Sequence, residues 1–230
     1  MNKIKSLWRD LTRFERGLWI TSVIVVSLAY LLAPNGNWMT LVTSVLGVTA
    51  LIFVAKGYIV GQLLCVVFAI LYGLISLHFR YYGEVITYLC MSAPIAVISL
   101  ISWLRHPYRQ TAEVEVQRVS KKKILLLALV TVAVTVVFYF ILKALHTANL
   151  FWSTVSVATS FFAASLTAMR SPYYAIAYTG NDIVLIVLWI TAMIQDVAYL
   201  PMIFCFVMFM ANDLYGFWHW CCMRDRQERE

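Results

Sequence analysis

Five stretches of this chain, 17–55, 57–79, 85–104, 124–142 and 144–169, hold no Asp, Glu, Lys or Arg. A helix needs ~20 predominantly apolar residues to cross the ~30 Å hydrocarbon core of a bilayer. Each stretch is long enough for one crossing, and the first for two. Backbone polar groups in lipid must be satisfied internally, which leaves only helices and closed barrels. No period-two alternation runs through the stretches, so the barrel fails. Composition agrees: 62% of residues are hydrophobic and 13% charged, whereas a soluble domain is roughly half apolar and a quarter charged. The expected fold is an all-α integral membrane protein of about eight transmembrane helices.

Turn and charge signals place the helices at 17–33, 37–55, 58–77, 82–103, 123–142, 150–168, 172–193 and 199–220. The first ends at Pro34-Asn35-Gly36-Asn37 and the second at Lys56-Gly57. The chain then divides into an N-terminus with one extra helix (1–36), a three-helix bundle (37–104), a connector with a linking helix (105–149), a second three-helix bundle (150–221) and a tail (222–230). The charged tail from Met223 onward reads as frayed. Residues 1–16 are basic and amphipathic, with no small-residue cleavage site after the first apolar run, so no cleavable signal is expected.

Alternating the loops across a membrane tests this count. One side collects the N-terminus, Lys56, the connector, Arg170 and the tail, with 16 Lys plus Arg; the other side holds only Arg80 and Lys143. That asymmetry follows the positive-inside rule and places both termini in the cytoplasm. The net charge of +7 is thereby spent on orientation, which excludes nucleic acid as a partner. The lipid bilayer and a small molecule remain, and homo-oligomer formation is left open.

A weak internal repeat is present. Trp38 and Trp152 open helices two and six, Lys56 and Arg170 close them, and each pair lies 114 residues apart. Two three-helix units placed end to end would be inverted, but the linking helix between them restores a parallel orientation. The expected core is a 3+1+3 arrangement, a transporter design in which substrate is held between repeats near the midplane.

Ionisable groups inside the membrane are costly, so they usually face the bundle interior or a water-filled cavity. Helix seven carries Asn181-Asp182 near its middle, and helix eight carries Asn212-Asp213. Residues three, four or seven apart share a helical face. Tyr178, Asp182 and Trp189 form one stripe on helix seven, with Asn181 adjoining. Met208, Asn212, Tyr215 and His219 form another on helix eight, Glu84 and Tyr88 align on helix four, and Phe68, Tyr72 and Ser76 on helix three. Gln62 stands near one end of helix three as a candidate for lining an exit. Aromatic faces beside amides and carboxylates suit a flat heteroaromatic ring bearing hydroxyls, and a cationic ring gains further from the aromatic faces. The competing reading is that Asn181 and Asn212 only join helices through hydrogen bonds. Trp38, Trp103, Trp152, Trp218 and Trp220 sit near helix ends and read as interfacial belt residues.

The five cysteines show no CxxC spacing, and His219 has no second ligand at metal spacing on its helix. Neither a metal nor a cofactor is expected. No Walker-type, Gly-x-Ser-x-Gly or HExxH motif is present, so nucleotide-driven pumping and the common hydrolases find no support, and the chain does not read as an enzyme.

Three segments, SPYYAIAYTGNDIVL (171–185), YYGEVITYL (81–89) and NDLYGF (212–217), resemble the PnuC family of vitamin transporters, particularly its Gram-positive branch. The resemblance spans about residues 40 to 220. It implies nicotinamide riboside uptake across the bacterial inner membrane by facilitated diffusion, with a cytoplasmic kinase trapping the product, and a fold similar to the SWEET proteins. The family's helix-seven asparagine corresponds to Asn181, and Asn212 and Tyr215 also match. Many members place a stacking tryptophan where this chain has Ala177. The expected binding set is Asn181, Asp182, Asn212, Tyr215, Tyr178, Trp189, Tyr88, Glu84 and Gln62. The alternatives are another vitamin or nucleoside (thiamine, riboflavin, a deoxyribonucleoside) or a membrane scaffold or sensor without transport.

Overall fold

Thr12 and Glu15 begin the first helix with a reciprocal capping box. The Glu15 amide donates to the Thr12 hydroxyl at 3.2 Å, and the Thr12 amide donates to the Glu15 carboxylate at 2.6 Å. Helix α1, Arg13–Leu32, therefore starts four residues earlier than its apolar run suggests. The computed structural model describes residues 9–32, 38–78, 82–147, 149–194 and 197–230. The Pro34–Asn37 turn and Arg80 lie outside the described residues.

Among the described residues seven further helices follow α1: α2 Trp38–Ala55, α3 Ile59–His78, α4 from Tyr82 to Arg105, α5 Lys121–Ala144, α6 Leu150–Ala168, α7 Tyr173–Met193 and α8 Leu200–Gln227. Six of the eight are long and apolar enough to cross a membrane, and α2 and α3 contribute the shorter apolar segments Leu41–Ala55 and Ile59–Leu74. The outward faces are apolar, as lipid requires: along α5, Leu125, Leu129, Val132 and Phe140 are all exposed. This is a multi-pass membrane protein.

Helix α4 is not uniform. Residues Thr87–Ser92 form a π-helical stretch between two α-helical parts. Pro94 follows it and has no amide proton to donate, so the hydrogen-bond ladder cannot run unbroken there.

Six helices form a ring. Contacts run α2 to α3 to α4 and α6 to α7 to α8, and the ring closes through α4 against α6 and α8 against α2. The linking helix α5 packs outside on α6, and α1 packs outside on α2 and α8.

The turns after α2 and α6 are built alike. Gly57 and Arg170 both adopt positive φ, 69° and 57°. Each amide donates to the carbonyl three residues back, and the next amide to the carbonyl five back: Gly57 to Val54, Tyr58 to Phe53, Arg170 to Thr167 and Ser171 to Leu166. This is the Schellman helix ending. It pairs Arg170 with Gly57, one residue away from the Lys56 match that charge alone suggests.

Two expectations are corrected. Trp103 and Trp220 are not belt residues: both are 0% exposed. Their indole N–H groups donate at 3.0 Å to the Thr167 and Val54 carbonyls, near the ends of α6 and α2. A buried indole needs such a partner. Trp38 and Trp218 are exposed at 69% and 61%, as an interfacial belt demands. The tail is also not frayed at Met223, because α8 continues to Gln227. The connector holds it: the Val116 amide donates to Gln227 Oε1 at 2.8 Å, Gln227 Nε2 donates to the Val114 carbonyl at 3.1 Å, and Arg118 pairs with Glu228. The connector also reaches both Schellman turns, through Val114 N–H to Gly57 O and Gln117 N–H to Arg170 O.

Candidate functional site

The helix ring encloses a cavity of about 150 Å3. Small side chains make the room. Gly47, Ala50, Ala69, Ala96 and Ala164 line it on α2, α3, α4 and α6. Aromatic rings form much of the remaining wall. Phe68 lies 6.3 Å from both Tyr88 and Phe209, centroid to centroid, and Tyr174 meets Tyr178 edge-on at 6.3 Å.

Hydroxyls enter from Ser92 and Ser99 on α4 and from Ser160 and Thr167 on α6, and amide and carboxyl groups enter from α3 and from the two helices that carry the Asn-Asp pairs. Gln62 lines the cavity from α3. Asn181 and Asp182 line it from α7, both buried. The Asn181 amide oxygen accepts hydrogen bonds from the Thr159 and Ser160 hydroxyls of α6, each at 2.8 Å. That arrangement fixes the amide plane and leaves the NH2 end to donate. Asp182 Oδ2 has no hydrogen-bond partner among the described residues. Asp213 enters from α8, where its carboxyl and that of Asp182 are direct electrostatic neighbours.

A second cavity of about 40 Å3 adjoins the first and shares Tyr88, Ser92, Ser160 and Leu185 with it. Glu84 and the hydroxyls of Thr87, Ser153 and Ser156 line this smaller chamber. Tyr88 and Ser92 belong to the π-helical stretch, so the irregular part of α4 partitions the two spaces. Tyr72 packs against Tyr88 at 4.2 Å.

The structure thus brings Asn181, Asp182, Tyr178, Tyr88 and Gln62 together around one cavity, with Glu84 in the adjoining one. Three other candidates lie elsewhere. Asn212 Nδ2 donates to Ser22 Oγ of α1 at 3.0 Å and to the Met208 carbonyl at 2.7 Å. The Tyr215 hydroxyl donates to Glu15 Oε1 of α1 at 2.6 Å. Trp189 packs on Tyr199, with ring centroids 5.4 Å apart, beyond the Leu185 edge of both cavities. Neighbouring residues of a helix point about 100° apart, and the rotation of α8 turns Asp213 inward and Asn212 toward α1. The inward stripe is Phe206, Phe209 and Asp213. That stripe has the right helical spacing in the sequence, but the stripe through Asn212, Tyr215 and His219 is the more polar of the two.

Residues 37–221 match the family model of the nicotinamide mononucleotide transporter. The chain belongs to this family. It is similar to the nicotinamide riboside transporter PnuC of Neisseria mucosa, 25% identical over 94% of this chain and 84% of the relative. It is also similar to the nicotinamide riboside transporter PnuC of Haemophilus influenzae, 22% identical over 88% of each. A crystal structure of the vitamin B3 transporter PnuC superimposes with a TM-score of 0.79 at 25% identity, covering 94% of both chains. The relatives are transporters and not enzymes. The cavity of this family member is lined by a fixed amide, carboxyls and aromatic faces.

Proposed function

We propose that this chain takes up nicotinamide riboside across the bacterial inner membrane by facilitated diffusion, with alternating access and metabolic trapping. One observation carries the reading most: Asn181, Asp182 and Asp213 line one cavity together with aromatic rings, between the two halves of the helix ring. The curated relatives bear that substrate in their names. A cavity of about 150 Å3 is the size that admits one six-membered aromatic ring. The nicotinamide ring would occupy the central chamber, with its carboxamide at Asn181 and Gln62 and its faces against Tyr178, Phe68 and Phe209. The ribose would extend past Tyr88 toward the hydroxyls near Glu84. In this reading Asn212, Tyr215 and Trp189 support the bundle.

The 3+1+3 repeat is part of the proposal. It is supported by the matched Schellman turns at Gly57 and Arg170 and by the reciprocal Trp103 and Trp220 hydrogen bonds. The units would be α2–α4 and α6–α8, rocking against each other, with α5 linking them and α1 as an addition. The face that carries the connector and tail would be cytoplasmic, as its excess of Lys and Arg implies. The Gram-positive branch rests on the three resembling segments alone; the relatives named above come from Neisseria mucosa and Haemophilus influenzae.

Titration calorimetry on detergent-purified protein tests the reading, with nicotinamide riboside and thiamine as parallel ligands. Saturable heat from nicotinamide riboside alone is expected. Heat from thiamine alone would keep the transporter and change the cargo, an outcome that Ala177, standing where many family members have tryptophan, keeps in view.

A further inference from the structure

We propose that Asp182 and Asp213 act together as the charge-recognition element of the cavity, so that it selects ligands with a permanently cationic, N-substituted pyridinium ring. The inference rests on the transport reading above and deepens it. Asp182 is 2% exposed and Asp213 4%, and both line the central cavity from different helices. Asp182 Oδ2 has no hydrogen-bond partner among the described residues. An unpartnered carboxyl oxygen at that depth is costly unless something supplies a partner.

No Lys, Arg or His appears among the described residues lining the cavity. The titratable groups packed around the pair are Cys65 on α3, Tyr88 on α4, Tyr174 and Tyr178 on α7 and Cys205 on α8. All are acids, so none supplies a positive charge, and Glu84 adds a further carboxyl in the adjoining chamber. Among the described residues the cavity lining therefore supplies no counter-ion.

Like charges repel strongly away from water, whereas a cation placed between two carboxyls favours their charged form. A positive ring is therefore the partner that lets the pair carry negative charge there. Spreading that charge over two helices has a mechanical consequence. Asp182 belongs to α7 and Asp213 to α8, so a cation between them draws the two helices onto the ligand. The faces of Phe68, Tyr178 and Phe209 add the attraction of aromatic quadrupoles for a desolvated cation.

Reduced nicotinamide riboside provides the test. Its 1,4-dihydropyridine ring keeps the carboxamide and ribose but carries no charge. Both forms are titrated calorimetrically into the detergent-purified full chain. The oxidised, cationic form should bind at least about tenfold more tightly. Asparagine copies the shape of a protonated aspartate, so Asp182→Asn and Asp213→Asn should each keep part of the preference, and the double variant should lose it. Equal affinity of the two forms for the unaltered protein would overturn the inference and leave the transport reading standing. Absence of binding by either form would overturn the reading on which it rests, and the inference with it. The comparison on the unaltered protein decides the matter even if a variant fails to fold.

Discussion

The indole rings of Trp103 and Trp220 lie 5.3 Å apart, centroid to centroid, and each donates its N–H into the opposite half of the helix ring. Trp103 ends α4 and reaches α6, whereas Trp220 lies late in α8 and reaches α2. The two halves are thus clasped by a reciprocal pair, with the rings meeting where the halves meet. Both side chains are fully buried, so the clasp is inaccessible to water and lipid.

A double-mutant cycle measures the clasp. Replacing either tryptophan by phenylalanine keeps an aromatic ring and removes one hydrogen bond, at a cost of about 1 kcal/mol each. Because the rings touch, the double variant should depart from additivity by roughly 0.5 kcal/mol or more. Thermal unfolding in detergent reads both quantities. Strict additivity would mean that the two halves are held independently.

Asn181→Ala removes the acceptor of two hydroxyl hydrogen bonds and the amide facing the cavity. With two or three hydrogen bonds at stake, each about 0.5–1.5 kcal/mol, affinity for nicotinamide riboside should fall at least tenfold. Membrane expression should survive, because Thr159 also donates to the Val155 and Ser156 carbonyls of its own helix. Unchanged affinity would remove Asn181 from the site.

The opposite pattern is expected at Tyr215 and Glu15. Lys56 donates to Glu15 Oε2 at 3.1 Å and Tyr215 donates to Oε1 at 2.6 Å, in a cluster that fastens α1 to the ring. Tyr215→Phe should cost about 1.5–3 kcal/mol, the range for a hydrogen bond to a charged group. Glu15→Ala should cost more, about 3–5 kcal/mol, since it strands the buried Lys56 ammonium. Melting temperature should drop in both while calorimetric affinity stays within a factor of about two, well under 1 kcal/mol. A collapse of affinity at full stability would return Tyr215 to the binding site.

Gly61 marks a close approach of α3 to the preceding helix. A Cβ at that position would lie 2.7 Å from the Phe53 carbonyl carbon and even nearer the Val54 nitrogen. Backbone cannot give way as a side chain can, so Gly61→Ala should cost at least about 1–3 kcal/mol. Folded yield by size-exclusion chromatography checks it. Wild-type yield would show that α2 and α3 can separate without loss.

The charge-free runs determined by themselves that the chain crosses a bilayer as helices, because lipid permits few alternatives. Helix positions followed to within a few residues except at polar ends. Thr12 and Glu15 extend α1 beyond its apolar run by capping, and the connector extends α8 by pairing with Gln227 and Glu228. Asn181 and Asp182 were also legible as inward residues, since burying an acid and an amide mid-membrane leaves them nowhere else to go.

Tertiary structure decided which member of each polar stripe meets the cavity. Asn212 and Asp213 are adjacent and equally polar, yet one turns toward Ser22 of α1 and the other toward Asp182. That choice depends on the rotation of α8, which is set by what α1 and α7 place against it and not by anything within the helix. The same holds for Trp103 and Trp220. A tryptophan near a helix end suits an interface or a buried carbonyl equally well, and only the packing of the two halves supplies the carbonyl.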